Sequence, residues 1–303
     1  MAAHISELIE SLANNGCKAQ VVSISRLAEA ESALIELKRS GAVNADFYSE
    51  LTRYLNFDYQ AALPQARSII VAASPQLSTQ VLFGSHAVII PPTYIYSEIW
   101  KKQLELVAGF LQPRGYHVAR ARLPFKTLAV RSGLGKYGRN NICYITGMGS
   151  FFRLAAFYSD MPCEHDGWGA PEMMKLCQTC KLCRDKCPTG CISADRFLIH
   201  ADRCLTHFNE SENPLPGWIK PEWHNALLGC MKCQKVCPLD KELLEKPEDA
   251  IEKFTVAETE EILAGTPLEN LRPATVTKLE SLCLADSDVY PILKRNLSLL
   301  IGA

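Results

Sequence analysis

The chain reads as an α+β protein in three parts: a mixed α/β core domain over residues 1–160, a cysteine-rich module over 161–240 and a helical segment over 241–303. Three observations lead there. Up to about residue 160, short apolar runs of strand length alternate with segments whose apolar residues recur every three or four positions. Eight of the thirteen cysteines then sit in one segment at ligand spacing, among prolines and charges. From Lys241 onward the pattern is helical.

Taken in order, His4 to Ala13 places Ile5, Leu8, Ile9 and Leu12 on one helical face. Cys17 to Ser25 follows as a first strand, and Ser25 to Ser40 as a second helix. Ser68 to Ala73 is a continuous apolar run, which predicts a strand buried on both faces. Val88 to Ile90 repeats that signal before Pro91-Pro92. Tyr96 to Leu111 predicts a helix ending near Pro113, and Tyr116 to Ala121 another strand. In the last part, Thr255-Val-Ala-Glu-Thr fits a helix start and Pro291 sits at the entry of a second helix.

Hydrophobic residues make up 48% and charged residues 21%, as in ordinary globular proteins, and the formal net charge of −1 gives no global bias toward nucleic acid or membrane. No run of 18 apolar residues predicts a membrane span, and acids come too early at the N-terminus for an export signal. A reducing, cytoplasmic setting suits this cysteine usage.

The cysteines carry the chemistry. Cys177 to Pro188 reads C-x2-C-x2-C-x3-C-P, and Cys230 to Pro238 reads C-M-K-C-Q-K-V-C-P. This is the ligand pattern of bacterial ferredoxins that hold two [4Fe–4S] clusters, in which three closely spaced cysteines share a cluster with a remote Cys-Pro cysteine. One thiolate per iron makes eight ligands. Cys177, Cys180 and Cys183 pair with Cys237 for the first cluster, and Cys187, Cys230 and Cys233 serve the second. Cys191 and Cys204 compete for the last place. Cys204 is preferred, because Cys191 follows the tight Pro188-Thr189-Gly190 turn, where a small packed residue suffices. Two zinc sites are the competing reading of the Cys-x2-Cys pairs.

A second feature lies upstream. Between Glu105 and Asp160 there is no Asp or Glu, while eight Arg and Lys residues fall in the same interval. Inside it run Ser132-Gly-Leu-Gly-Lys-Tyr-Gly-Arg-Asn-Asn and Gly147-Met-Gly-Ser150. Glycines let a ligand approach the backbone, and N–H groups beside Arg and Lys suit phosphate or carboxylate. The candidate cofactor-binding residues are Gly133, Leu134, Gly135, Lys136, Gly138, Arg139, Asn140 and Ser150; a solvated basic face is the plainer alternative.

Together these regions resemble the epoxyqueuosine reductase family and, more broadly, its reductive-dehalogenase relatives. The resemblance rests on L-A-V-R-S-G-L-G-K-Y-G-R-N-N (Leu128 to Asn141), G-S-F-F (Gly149 to Phe152), C-x2-C-x2-C-x3-C-P-T-G (Cys177 to Gly190), D-R-C (Asp202 to Cys204) and G-C-M-K-C-Q-K-V-C-P (Gly229 to Pro238), with a fainter match at Leu63 to Ala72. It implies a nitroreductase-like core that binds cobalamin, and a ferredoxin module that reduces the cobalt using electrons from an external donor such as a flavodoxin or ferredoxin. It also implies that Cys204 is a ligand and that the cluster of Cys187 and Cys204 lies nearer the cofactor.

The chain departs from the family pattern at named places. Ala119 stands where the family has its proton-donating Asp, and Lys136 replaces a Trp. Of an Asp-Tyr-His motif only Tyr96 remains, and the segment after residue 241 is shorter than a full tRNA-binding helical-repeat tail. Reductive dehalogenases use a tyrosine as proton donor, so Tyr94 and Tyr96 are the candidate catalytic residues. These departures favour a small molecule or modified nucleoside as substrate over tRNA.

Overall fold

A computed structural model describes residues 2–76, 79–95, 98–244 and 251–302. Strands run at β1 (Lys18–Ser23), β2 (Ser68–Pro75), β3 (Thr79–Phe83), β4 (His86–Ile90), β5 (Val118–Ala121), β6 (Lys136–Tyr137), β7 (Cys143–Tyr144), β8 (Phe152–Ser159) and β9 (Glu252–Phe254). The helices are α1 (Ala2–Asn14), α2 (Arg26–Arg39), α3 (Ala45–Thr52), α4 (Tyr59–Ala62), α5 (Ile99–Leu111), α6 (Phe125–Arg131), α7 (Leu182–Asp185), α8 (Leu205–Asn209), α9 (Lys232–Lys235), α10 (Lys241–Leu244), α11 (Val256–Ala264), α12 (Pro273–Ser281) and α13 (Tyr290–Ile301). The chain divides into two compact units, residues 1–75 with 98–180, and residues 76–97 with 181–303.

The first unit is built on an antiparallel sheet of order β1-β2-β8-β5. Side chains alternate across a strand, so β2 sends Ile70 and Ala72 to one face and Ile69, Val71 and Ala73 to the other. The first set packs with Leu8 and Leu12 of α1 and with Val107 and Leu111 of α5. The second packs with Leu27 and Ala30 of α2 and with Leu128 and Val130 of α6. Helices on both faces are why β2 reads as an unbroken apolar run, although its neighbours are antiparallel.

An ion-pair network ties α2 to the loop after β8. Arg26 makes bonds of 3.1 Å to both carboxylate oxygens of Asp166, and Glu29 accepts from Arg26, Arg131 and Trp168 Nε1. Burial alone would raise the Asp166 carboxyl, but donation from Arg26 and from the Ser23 and Trp168 N–H groups holds it below its ordinary value.

The second unit has its own sheet, β4-β3-β9, in which β9 runs parallel to β3. Phe83 stacks flat on Phe254 with ring centroids 4.7 Å apart. Around them gather Ile90, Ile95, Ile262, Leu279, Leu293 and Leu297, together with Leu227 and Leu228 from the cysteine-rich segment. The composition of 161–238 suggests a module held by metal rather than apolar packing; its flanks nonetheless enter apolar cores, with Met161 and Cys163 in that of the first unit. At Thr255, where the sequence predicts a helix start, Thr255 and Glu258 form a reciprocal capping box for α11.

Candidate iron–sulfur centre

The two cysteine runs adopt the same local form. In each, a four-residue helix, α7 or α9, carries the middle cysteine, Cys183 or Cys233. The last cysteine then donates its backbone N–H into that turn, Cys187 to Arg184 O at 3.2 Å and Cys237 to Gln234 O at 3.0 Å. Proline after each, which cannot continue a helix, ends the turn. α7 and α9 pack against each other, which brings the two runs side by side. None of the thirteen cysteines, all among the described residues, forms a disulfide. Among the described residues no three Cys, His, Asp or Glu side chains converge on a single metal ion. A cube of four irons takes its thiolates at separate corners, so a spread donor set fits that group.

Three sulfurs of the second unit nonetheless lie close together. Cys187 Sγ is 3.4 Å from Cys191 Sγ, and Cys191 also hydrogen-bonds Cys204. The bond from Cys191, against the cost of burial, draws the Cys187 thiol down to about 5, and likewise Cys204 to about 7. Cys191 itself is pushed up. Cys230 is raised, chiefly by burial, although the Asn225 side-chain amide donates to its Sγ at 3.3 Å.

Helix α13 braces the loops that carry these cysteines. The buried Asn296 amide donates to Asn209 O and Leu227 O, both at 2.8 Å. Arg295 donates to Phe208 O, Ser211 O and Asn213 O. Asn209 in turn donates to Ala226 O and Gly229 O.

Of the two candidate tyrosines, Tyr96 lies outside the described residues. The Tyr94 hydroxyl donates to the Glu210 carboxylate. Burial, and then the Glu210 charge, hold the phenol well above its ordinary value. Its ring covers Gly229, where a Cβ would fall 2.5 Å from the hydroxyl on a backbone with φ +64°. Glycine is required there.

In the glycine-rich block, much is committed to the fold. A Cβ on Gly135 would lie 2.6 Å from Cys143 Sγ, and one on Gly138 would lie 2.6 Å from the Tyr144 ring. Asn140 is buried and donates to the Tyr144 hydroxyl at 3.0 Å. Lys136 pairs with Glu172. Arg139 donates to the carbonyls of Cys177, Gln178 and Cys180, so it clamps the loop bearing the first two cysteines. Leu134 is half-buried against the core, and Ser150 is half-buried in the turn before β8. Gly133 follows α6, exposed, with open space around its Cα.

Sequence reasoning missed Glu210, Asn225 and Asn296. They belong to no motif, and only the fold brings them to the cysteine loops. It also passed over His224, whose ring nitrogens have no hydrogen-bond partner among the described residues and whose pKa burial lowers.

Residues 176–240 match the family model described as a 4Fe-4S double cluster binding domain, which marks that segment as one for two iron–sulfur clusters. Similar curated proteins are epoxyqueuosine reductases. That of Bacillus subtilis (strain 168) is 28% identical over 48% of this chain and 38% of its own length. That of Leadbetterella byssophila is 30% identical over 55% of this chain and 52% of its own length, so the matched stretch spans about half or less of these relatives. Among solved structures, a selenomethionine-labelled epoxyqueuosine reductase superposes with a TM-score of 0.72 at 21% identity, covering 98% of this chain and 80% of that one. The enzyme from Streptococcus thermophilus gives 0.68 at 17% identity, covering 100% of this chain and 81% of that one. The chain thus resembles epoxyqueuosine reductases in part of its sequence and shares their fold.

Proposed function

We propose that the protein is an iron–sulfur oxidoreductase that passes electrons through two [4Fe–4S] clusters to a cobalamin, for reduction of a small molecule or modified nucleoside. The observation that carries this reading is the paired cysteine runs, matched in spacing and local form and lying within the double-cluster match. Cys177, Cys180, Cys183 and Cys237 would hold the first cluster, and Cys187, Cys204, Cys230 and Cys233 the second. Within a nitroreductase-like core, the turn at Gly133, exposed and followed by half-buried Leu134, would carry the corrinoid, because nothing crowds a Cβ position at Gly133. Cobalamin, when bound, supplies a strongly reducing cobalt.

The chain's own residues set the conditions around that chemistry. Arg139 fixes the first cysteine loop, and Asn225 places an N–H on Cys230 Sγ, which favours the more negative, reduced state. Tyr94 keeps its proton at neutral pH and directs it in a hydrogen bond to Glu210, so it positions that carboxylate. Tyr96 is then the candidate proton donor. A Bacillus subtilis neighbour, 21% identical with a TM-score of 0.68, is described with an aspartate-bearing catalytic loop. Residues 106–159 here contain no acid, which supports a different donor and a different substrate. Another neighbour was solved with an epoxyqueuosine-modified tRNA stem loop; the missing acid argues against that substrate here.

A second reading, an electron-transfer protein that reduces a partner's centre, draws support from the internal commitment of Lys136, Arg139 and Asn140. Anaerobic reconstitution followed by titration with cob(II)alamin separates the two. About eight irons with saturable corrinoid uptake is the expected result. Eight irons without uptake would favour the second reading, and about two zincs would overturn both.

A further inference from the structure

A ninth thiol stands among the eight expected ligands, and the fold has built its position. Gly190 N–H donates to Cys187 O, closing the Pro188-Thr189-Gly190 turn that carries Cys191 back toward Cys187. His200 N–H donates to Cys191 O at 2.8 Å, and four residues later the chain reaches Cys204. The outcome is a buried thiol, 2% exposed, 3.4 Å from Cys187 Sγ and hydrogen-bonded to Cys204 Sγ. Cys230 lies within electrostatic reach of Cys187 and Cys204. A residue kept only as packing next to a turn has no need of sulfur at this point, since alanine fills such a place with the same backbone.

Building on the double-cluster reading, we propose that Cys191 is an interchangeable ligand of the second cluster, able to hold the iron otherwise held by Cys204. The exchange is balanced without an outside reactant. The bond from iron to Cys204 Sγ breaks as one from iron to Cys191 Sγ forms. The proton lost by the Cys191 thiol is taken up by the released Cys204 Sγ, and no electron changes hands. A second thiolate within reach lets the cluster survive loss or oxidation of one ligand, which a fixed set of four does not allow.

The test compares the full chain with its C191A, C204A and C191A/C204A variants after anaerobic reconstitution with iron and sulfide, reading iron content and the reduced-state electron paramagnetic resonance signal. Both single variants are expected to keep about eight irons per chain, and the double variant to fall to about four. The remaining first cluster is the internal control for folding. A fall of C204A alone to four or fewer would mean that Cys191 cannot bind iron. A fall of C191A alone would make Cys191 a fixed ligand, and eight irons in the double variant would exclude both residues. Each of these overturns the proposal. Failure of the unmodified chain to take up about eight irons is a separate result, against the cluster reading itself.

Discussion

Asn225 is a side chain whose two ends do different work. Its amide donates to Cys230 Sγ, and its oxygen accepts from Met231 N–H at 3.0 Å. Asn225→Asp keeps the acceptor, removes the donor and adds a negative charge beside a group that becomes more negative on reduction. The midpoint potential of the second cluster is therefore expected to fall, as read by a redox titration monitored by electron paramagnetic resonance. An unchanged or higher potential would count against this role. Gly229→Ala is expected to lower stability by about 2 kcal/mol or more, because it combines a left-handed backbone with a clash against Tyr94, and thermal unfolding would register it.

Single elements depend on a few charges. α2 is anchored through Arg26 to Asp166, whose side chain is only 3% exposed, and through Glu29 to Arg131 and Trp168. Asp166→Asn should cost about 2 kcal/mol, because it leaves Arg26 with a weaker partner while keeping the shape. The sign of the pH dependence follows from the lowered carboxyl. Its contribution is fully present above the unfolded value of about 3.9 and is lost as pH falls through the folded value, so wild type and variant should converge in acid. Denaturant titrations at pH 7 and pH 3 would measure this, and an equal gap at both would refute it. At α11, Thr255→Ala removes one half of the capping box and should cost about 1 kcal/mol.

At the scale of the molecule, the sequence carried the periodic elements well. α1, α2, β1, β2 and α13 lie where the apolar spacing predicts, because each has one stripe or a whole strand facing a core. Less visible was β8, whose Phe-Arg-Leu-Ala-Ala-Phe-Tyr-Ser run holds a charge yet fills the centre of the sheet. Residues 76–97 read as a continuation of the core domain, yet they join the second unit, since β3 finds its partner in β9. Such distant pairing leaves no local mark. Cysteine spacing was legible; the bracing by Asn209, Arg295 and Asn296 was not, because buried polar ties depend on tertiary contact. Removal of iron by a chelator should expose amides of residues 181–211, while β3, β4 and α11–α13 stay protected by their own apolar core; hydrogen exchange would test this.

The pairing of β3 with β9 also sets a clock on synthesis. Every residue of the first unit has been made once position 180 is reached, but β3 waits for a strand at 252–254 and for the helices after it. At about 5–20 residues per second, the second unit is completed roughly 6–25 s after the first. Within that interval the thiols from Cys183 to Cys237 are all made before their α13 brace, residues 290–301, exists. Cluster assembly on this chain is thus a race between iron delivery and oxidation, and expression at low oxygen should raise iron content most when elongation is slow.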